Sequence, residues 1–192
     1  MQEKLKAEVL LAYRELCRHG LDNHAGGIVS AIDRESGLIV MKSASEAFVV
    51  DLQGNVVEGY HTPSADIHTH IAIYQAFPKL GGIVQPCASF AAFFAQEGMH
   101  IPVFSPMHNT FFHHEVPCVA SAVEIGTAFK KQSIDPLKMP AALVLSRSAY
   151  AWGPTAIDAV ANAAALEKTA SLAYRAMQLD PVTTRYNRKP VC

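Results

Sequence analysis

Three short stretches carry side chains able to do chemistry. In GGIVQPCASF, residues 81–90, an apolar β-like run, Gly81-Gly82-Ile83-Val84, turns polar at Gln85-Pro86-Cys87. The ends of strands are where α/β proteins gather their reacting groups. Cys87 reads either as a nucleophile or as an inert buried thiol. No cysteine-enzyme signature surrounds it, so a histidine partner would have to come from elsewhere in space. His68-Thr69-His70 has the look of a metal motif. On a helix, however, residues two apart point about 200° away from each other and cannot chelate one ion. His113-His114 beside Glu115 form another cluster, read as solvated loop residues.

The elements that must position these groups follow from periodicity. Residues 3–19 carry Leu5, Val9, Leu10, Ala12, Tyr13 and Leu16 at helical spacing, and Gly20 ends the run. β-type runs follow at Gly27–Ile32, Leu38–Met41 and Phe48–Val50, then a turn at Asp51–Asn55 into Val56-Val57. Pro63-Ser64-Ala65-Asp66 reads as a helix start, running to Phe77 and stopped by Pro78. A strand at Gly82–Val84 precedes a helix from Ser89 to Glu97. Ile101–Phe104 and Val116–Val119 read as strands, Ala122–Gln132 as a helix, and Ala141–Leu145 and Tyr150–Trp152 as strands. Pro154 opens a long Ala-rich helix to about Met177. This mixture predicts a three-layer α/β/α sandwich with a largely antiparallel central sheet, in one domain over residues 1–192.

Composition narrows the function classes. Half of the 192 residues are hydrophobic and 17% are charged, which excludes a disordered chain. A formal net charge of −1 offers no electrostatic footprint for nucleic acid. Lys130-Lys131 and the basic run Arg185 to Lys189 are short enough to be a helix end and a tail. No apolar stretch reaches the ~18 residues needed to span a bilayer. The first residues, MQEKLKAEVLLAYREL, are amphipathic and acidic early, unlike a secretory signal. Cys17, Cys87, Cys118 and Cys192 form no CxxC pair, and a reducing cytoplasmic setting is expected.

The stretches LAYRELCRHGLDNHAGGIVSAIDRESGLIVMK, GNVVEG, PSADIHTHIAIYQAFP, GGIV, IDPLKMPAALV and AYAWG occur in that order along nearly the whole chain. Together they resemble the L-ribulose-5-phosphate 4-epimerases of the class II aldolase/adducin superfamily. The resemblance implies an α/β/α aldolase-type subunit and a homotetramer with active sites between subunits. It also implies divalent-metal-assisted enolate chemistry, by retro-aldol cleavage, on a sugar phosphate. Such a site takes three imidazoles, two from an H-x-H at a strand end and one from a later strand. In this sequence the matching positions are Gln85, Cys87 and Arg147. An amide, a thiol and a guanidinium do not rebuild that site, and the fixed positive charge of an arginine repels a metal. No metal and no cofactor are therefore expected.

Other matching positions depart as well. The phosphate-binding G-N-V-S reads Gly27-Ile28-Val29-Ser30, and K-P-S-G reads Lys42-Ser43-Ala44-Ser45. P-S-S-D reads Pro63-Ser64-Ala65-Asp66, keeping one serine and the acid. The T-H-A-D acid is Thr110, after His108-Asn109, and the sequence ends at Cys192, ahead of the region where the epimerases carry a catalytic Tyr. The resemblance assigns catalytic positions to Asp66, Gln85, Cys87, His108 and Arg147. It assigns substrate contacts to Ser43, Ser45 and Ser64 and matches His70 to a histidine of the epimerases, which leaves His68 as the residue read as facing the cleft and touching substrate. Asp66 reads either as a general base or as a plain charge on the first turn of a helix. Arg147 reads either as a holder of an enolate or carboxylate oxygen or as half of a salt bridge. Ile28, Phe48, Phe90, Phe93, Phe94, Phe104, Met107, Phe111 and Phe112 predict an apolar, aromatic cleft where they face it. The expectation is a repurposed metal-independent enzyme doing enolate-type chemistry on a small carbonyl compound. The alternative is a pseudoenzyme acting as a structural or regulatory oligomer. Neither reading calls for nucleic acid or membrane as a partner.

Overall fold

A computed structural model describes residues 2–22, 26–44, 47–59 and 65–179. Along the chain these form α1 (Gln2–Arg18), β1 (Ile28–Asp33), β2 (Leu38–Lys42), β3 (Ala47–Val50), β4 (Val56–Glu58), α2 (Ala65–Ala76) and β5 (Gly82–Gln85). Then follow α3 (Ser89–Gln96), α4 (Pro106–Phe111), β6 (Cys118–Val119), α5 (Glu124–Lys131), β7 (Ala141–Val144), β8 (Ser148–Gly153) and α6 (Ala156–Leu179).

The strands make one eight-stranded sheet in the order β4-β3-β2-β1-β5-β8-β7-β6. Every neighbouring pair is antiparallel except β6 with β7. Helices α1, α3 and α6 pack together on one face, and α2 and α5 on the other. Strand alternation assigns the side chains to these layers. On β8, Trp152 stacks with Phe77 and Phe129 on the α2–α5 side. Gly153 faces α6 so closely that a Cβ there would lie 2.6 Å from the Cβ of Asp158. The same closeness explains Gly82, whose added Cβ would sit 2.4 Å from Ala156.

The helix ends show why the elements stop where they do. After α1, Gly20 takes φ +68°. Leu21 N–H then bonds the Leu16 carbonyl at 3.2 Å and Gly20 N–H the Cys17 carbonyl at 3.0 Å, a Schellman closure. At the far end of α2, the Arg34 guanidinium donates to the carbonyls of Tyr74, Phe77 and Leu80 at 2.8–3.1 Å and lies over the Tyr74 ring. A cation at a helix C-terminus meets the negative end of the dipole.

The segment 101–104 departs from the strand expected there. Ile101 makes a single bridge to Val116, and the chain turns into the short helix α4. Pro102 lacks an N–H for a ladder, and Ser105 caps α4 by accepting from His108 N–H.

Candidate functional site

Three elements converge at the end of β5. The strand delivers Gln85, and the next residues, Pro86 and Cys87, are tied back where Cys87 N–H donates to the Leu21 carbonyl at 2.8 Å. Pro86 has no N–H, so the chain here cannot simply continue the ladder. The turn between β7 and β8 delivers Arg147. It is closed by Arg147 N–H to the Val144 carbonyl at 3.0 Å and needs Ser146 at φ +55°. The first turn of α2 delivers Asp66, whose Oδ1 stands 3.5 Å from Arg147 Nη2.

Gln85, Pro86, Cys87 and Arg147 line one pocket of about 310 Å³. Ala88, at the N-cap of α3, and Ser89 and Ala92 of that helix, with Gly26 and Ser148, complete its wall. The pocket thus joins three of the catalytic positions expected from sequence, and the Arg147 ion pair brings in a fourth, Asp66. Arg147 keeps 40% of its side chain exposed, and its ion contact with Asp66 is a long one.

Level with Gln85 in the sheet lies a polar layer whose Tyr150 sequence reasoning did not single out. Ile83 pairs with Trp152 and Val84 with Ala151, so one register step further Gln85 faces the level of Tyr150. The Gln85 Oε1 and the Tyr150 hydroxyl are both buried without a well-formed hydrogen bond. Burial pushes the Tyr150 phenol up, while nearby Thr69 and the Arg147 cation pull it down and the Asp66 charge adds to the rise. The Tyr150 ring meets His70 edge-on at 6.0 Å between centroids. His70 is wholly buried, its Nδ1 bonded to Ser30 Oγ at 2.7 Å, and Ser30 Oγ also bonds the Tyr74 hydroxyl at 2.9 Å. Burial holds the imidazole neutral by lowering its pKa to about 3, and its Nε2 has no partner among the described residues. The signal for Tyr150 was present in SAYAWG, where small and large residues alternate and place Ser148, Tyr150 and Trp152 on one face.

Other expected residues stand apart. His108 is buried in α4, its Nε2 2.6 Å from the His114 carbonyl and its ring edge-on to Phe112; it does not line the pocket. Its pKa is lowered by burial, opposed by the His114 carbonyl. His68 is exposed beside the turn at Gly54 and away from the pocket wall, on the opposite face of α2 from His70. Ser43 is half-buried, with its carbonyl taken by the Lys42 ammonium, which also lies 4.6 Å from the centre of the Tyr13 ring. Ser45 and Ser64 lie outside the described residues.

The aromatic cleft expected from sequence is corrected: none of the phenylalanines lines this pocket. Phe48, Phe94 and Phe112 are core, and Phe90 and Phe93 pack on Tyr174 of α6. Among the described residues, no group of three or more His, Cys, Asp or Glu is placed to hold a metal ion. None of the described helices is long and apolar enough to cross a membrane.

Residues 7–174 match the family described as the class II aldolase and adducin N-terminal domain. The chain is 37% identical over 200 residues to the L-ribulose-5-phosphate 4-epimerase UlaF of Salmonella paratyphi B, an alignment covering 93% of this chain and 88% of that protein. Among solved structures it is similar to an L-fuculose 1-phosphate aldolase, with a TM-score of 0.77 and 21% identity over 92% of this chain and 88% of that one. It is also similar to the L-fuculose-1-phosphate aldolase of Thermus thermophilus, with a TM-score of 0.71 and 17% identity over 95% of this chain and 100% of that one. At these identities the structural likeness is one of fold.

Proposed function

The chain belongs to the class II aldolase and adducin N-terminal domain family, and from that premise we propose that it is a metal-independent enzyme performing enolate-type chemistry on a small carbonyl compound. The observation that carries this reading is the convergence of Gln85, Cys87 and Arg147 on one pocket, with Asp66 held 3.5 Å from Arg147. The divalent metal implied by the fold family does not fit this donor set. The Gln85 amide is a poor ligand, and the Arg147 cation stands where a metal charge would have to be. A guanidinium supplies the same electrostatic help by another route, through N–H groups directed at an oxygen as it gains charge.

In this reading Asp66 removes a proton from the carbon beside the substrate carbonyl. The C–H electron pair becomes the new C=C bond, and the carbonyl pair moves onto oxygen, which accepts hydrogen bonds from Arg147. Return of the proton to a different carbon would complete an isomerisation, and attack on an electrophile a condensation. In a decarboxylation carbon dioxide leaves in place of the proton, its bond pair forms the same enolate, and protonation of carbon completes the step. Cys87 lines the same pocket and is the second group able to carry a proton. We extend the reading to a homotetrameric assembly, supported by the resemblance to the epimerases.

Hydrogen–deuterium exchange at the carbon beside the carbonyl, followed by NMR, tests the proposal. The full chain, dialysed against chelator, is expected to catalyse exchange in small ketones or oxo acids, and Asp66→Asn and Arg147→Gln to lose it. Stoichiometric zinc or manganese held at Cys87, or activity recovered only on adding metal, would overturn the reading. One observation favours a second, non-catalytic reading: Arg147 and Asp66 also neutralise each other. A purely structural pair predicts that both substitutions lower the melting temperature and that no carbonyl compound is turned over.

A further inference from the structure

The charges and hydrogen-bonding groups around Arg147 select among carbonyl compounds. Building on the reading above, we propose that this pocket takes a small oxo acid, a compound whose single carboxylate neighbours its carbonyl, and that Arg147 is the group that binds it.

Arg147 reaches the pocket with 40% of its side chain exposed; its ion partner is the Asp66 oxygen at 3.5 Å, and its guanidinium also interacts with the Tyr150 hydroxyl. A guanidinium fork matches two neighbouring oxygens, one from a carboxylate and one from the adjacent carbonyl. The Gln85 side chain lines the same pocket and holds a buried amide atom that no described protein group satisfies. A half-turn of that amide presents N–H donors in place of Oε1. Ser89 and Ser148 line the same pocket, and a serine hydroxyl is able to donate to an anion. At about 310 Å³ the space suits a small acid, near the lower end of ligand pockets, roughly 300–1,000 Å³.

The same inventory disfavours a phosphate. The natural anion site here would be the N-terminus of α3. Two of its first-turn N–H groups, those of Phe90 and Ala91, are already held at 2.9 Å by the two carboxylate oxygens of Glu167 from α6. A phosphate dianion binding Arg147 would meet the Asp66 carboxylate with one guanidinium to offset both charges. A monocarboxylate exchanges with Asp66 charge for charge. Its arrival at Arg147 also releases the Asp66 carboxylate, so that binding the acid group and freeing the base are one event.

Ligand-observed NMR titration of the full chain with pyruvate, phenylpyruvate, dihydroxyacetone and inorganic phosphate tests this. At least one of the two oxo acids is expected to saturate and to compete with the other. Arg147→Gln should weaken that binding about tenfold or more and Arg147→Lys less, because the lysine keeps the charge but not the fork. Dihydroxyacetone should bind more weakly than the oxo acid, with no such dependence on Arg147. Failure of both oxo acids to saturate, affinity unchanged in Arg147→Gln, or phosphate binding at least as tightly through Arg147 would each overturn the proposal. Arg147-dependent oxo-acid binding alongside proton exchange that vanishes on chelation would support this inference while sinking the metal-free reading on which it rests.

Discussion

The two ends of α2 are each met by an arginine, and the two arginines are used in opposite ways. At the C-terminal end, Arg34 donates to three backbone carbonyls and stacks on Tyr74, leaving little of its fork unpartnered. At the N-terminal end, Arg147 makes a 3.5 Å ion contact with Asp66, interacts with the Tyr150 hydroxyl, and keeps 40% of its side chain exposed. Both are cations on a polar seam at the edge of the same layer. The first closes a helix whose last carbonyls would otherwise be bare, and the second holds its donors ready beside a pocket. Saturation marks a group that holds the fold together, and unused donors beside a cavity mark a group that binds something else.

Arg34→Ala should break the saturated end with the largest effect on stability. It strips hydrogen bonds from three carbonyls at a helix terminus, and a loss of about 2–4 kcal/mol is expected in urea unfolding. Arg147→Gln should do the reverse. An exposed, long ion pair is worth about 0–1 kcal/mol, so unfolding should change little. Turnover, however, should fall about 100-fold if Arg147 stabilises developing charge on oxygen. Equal losses of stability in the two variants would erase the distinction between the two ends.

His70, partway along the same helix, sharpens the contrast through pH. Its folded pKa is lowered to about 3 by burial, below an unfolded value near 6.5. The unfolded chain therefore binds a proton here that the folded one refuses. Stability from this group is full above pH ~6.5 and is lost as pH falls toward the folded value, by up to about 1.4 kcal/mol per pH unit. His70→Asn keeps a group in reach of Ser30 but does not titrate. Its unfolding free energy should fall less steeply than that of the parent between pH ~6.5 and ~5. Identical slopes would show that His70 charges readily in the folded protein.

Much of this contrast was legible in the sequence. The break at Gln85-Pro86-Cys87 reads as the end of a strand, and resemblance singles out Asp66 and Arg147; in the fold Gln85, Cys87 and Arg147 line one pocket and Asp66 pairs with Arg147. The aromatic cleft misled because a phenylalanine reads alike whether it fills a core or lines a cavity, and Phe48, Phe94 and Phe112 fill the core. The strand expected at 101–104 failed for a related reason. Ile101, Val103 and Phe104 have the apolar composition of a strand, yet Ile101 is buried and Val103 exposed where a strand would put both on one face. Pro102 and Pro106 lack the ladder donors, so the chain enters α4 instead. Alternation reports which face a side chain takes, not whether its polar atom finds a partner. Arg34 and Tyr150 escaped notice on that account, since their difference lies entirely in hydrogen bonding.

Tyr150→Phe gives the smallest change in stability and the finest test of the unsaturated end. Burying a hydroxyl without a well-formed hydrogen bond is unfavourable, so deleting it should leave stability within about 1 kcal/mol of the parent or raise it slightly. An oxygen that merely fills space would have no further consequence. This one lies close enough to Thr69 and Arg147 for both to favour its ionised form. Its loss should therefore alter how the guanidinium is held and shift oxo-acid affinity about two- to fivefold, with the fold intact. A variant both less stable by more than about 2 kcal/mol and unchanged in binding would place Tyr150 with Arg34, among the groups that hold the layers together.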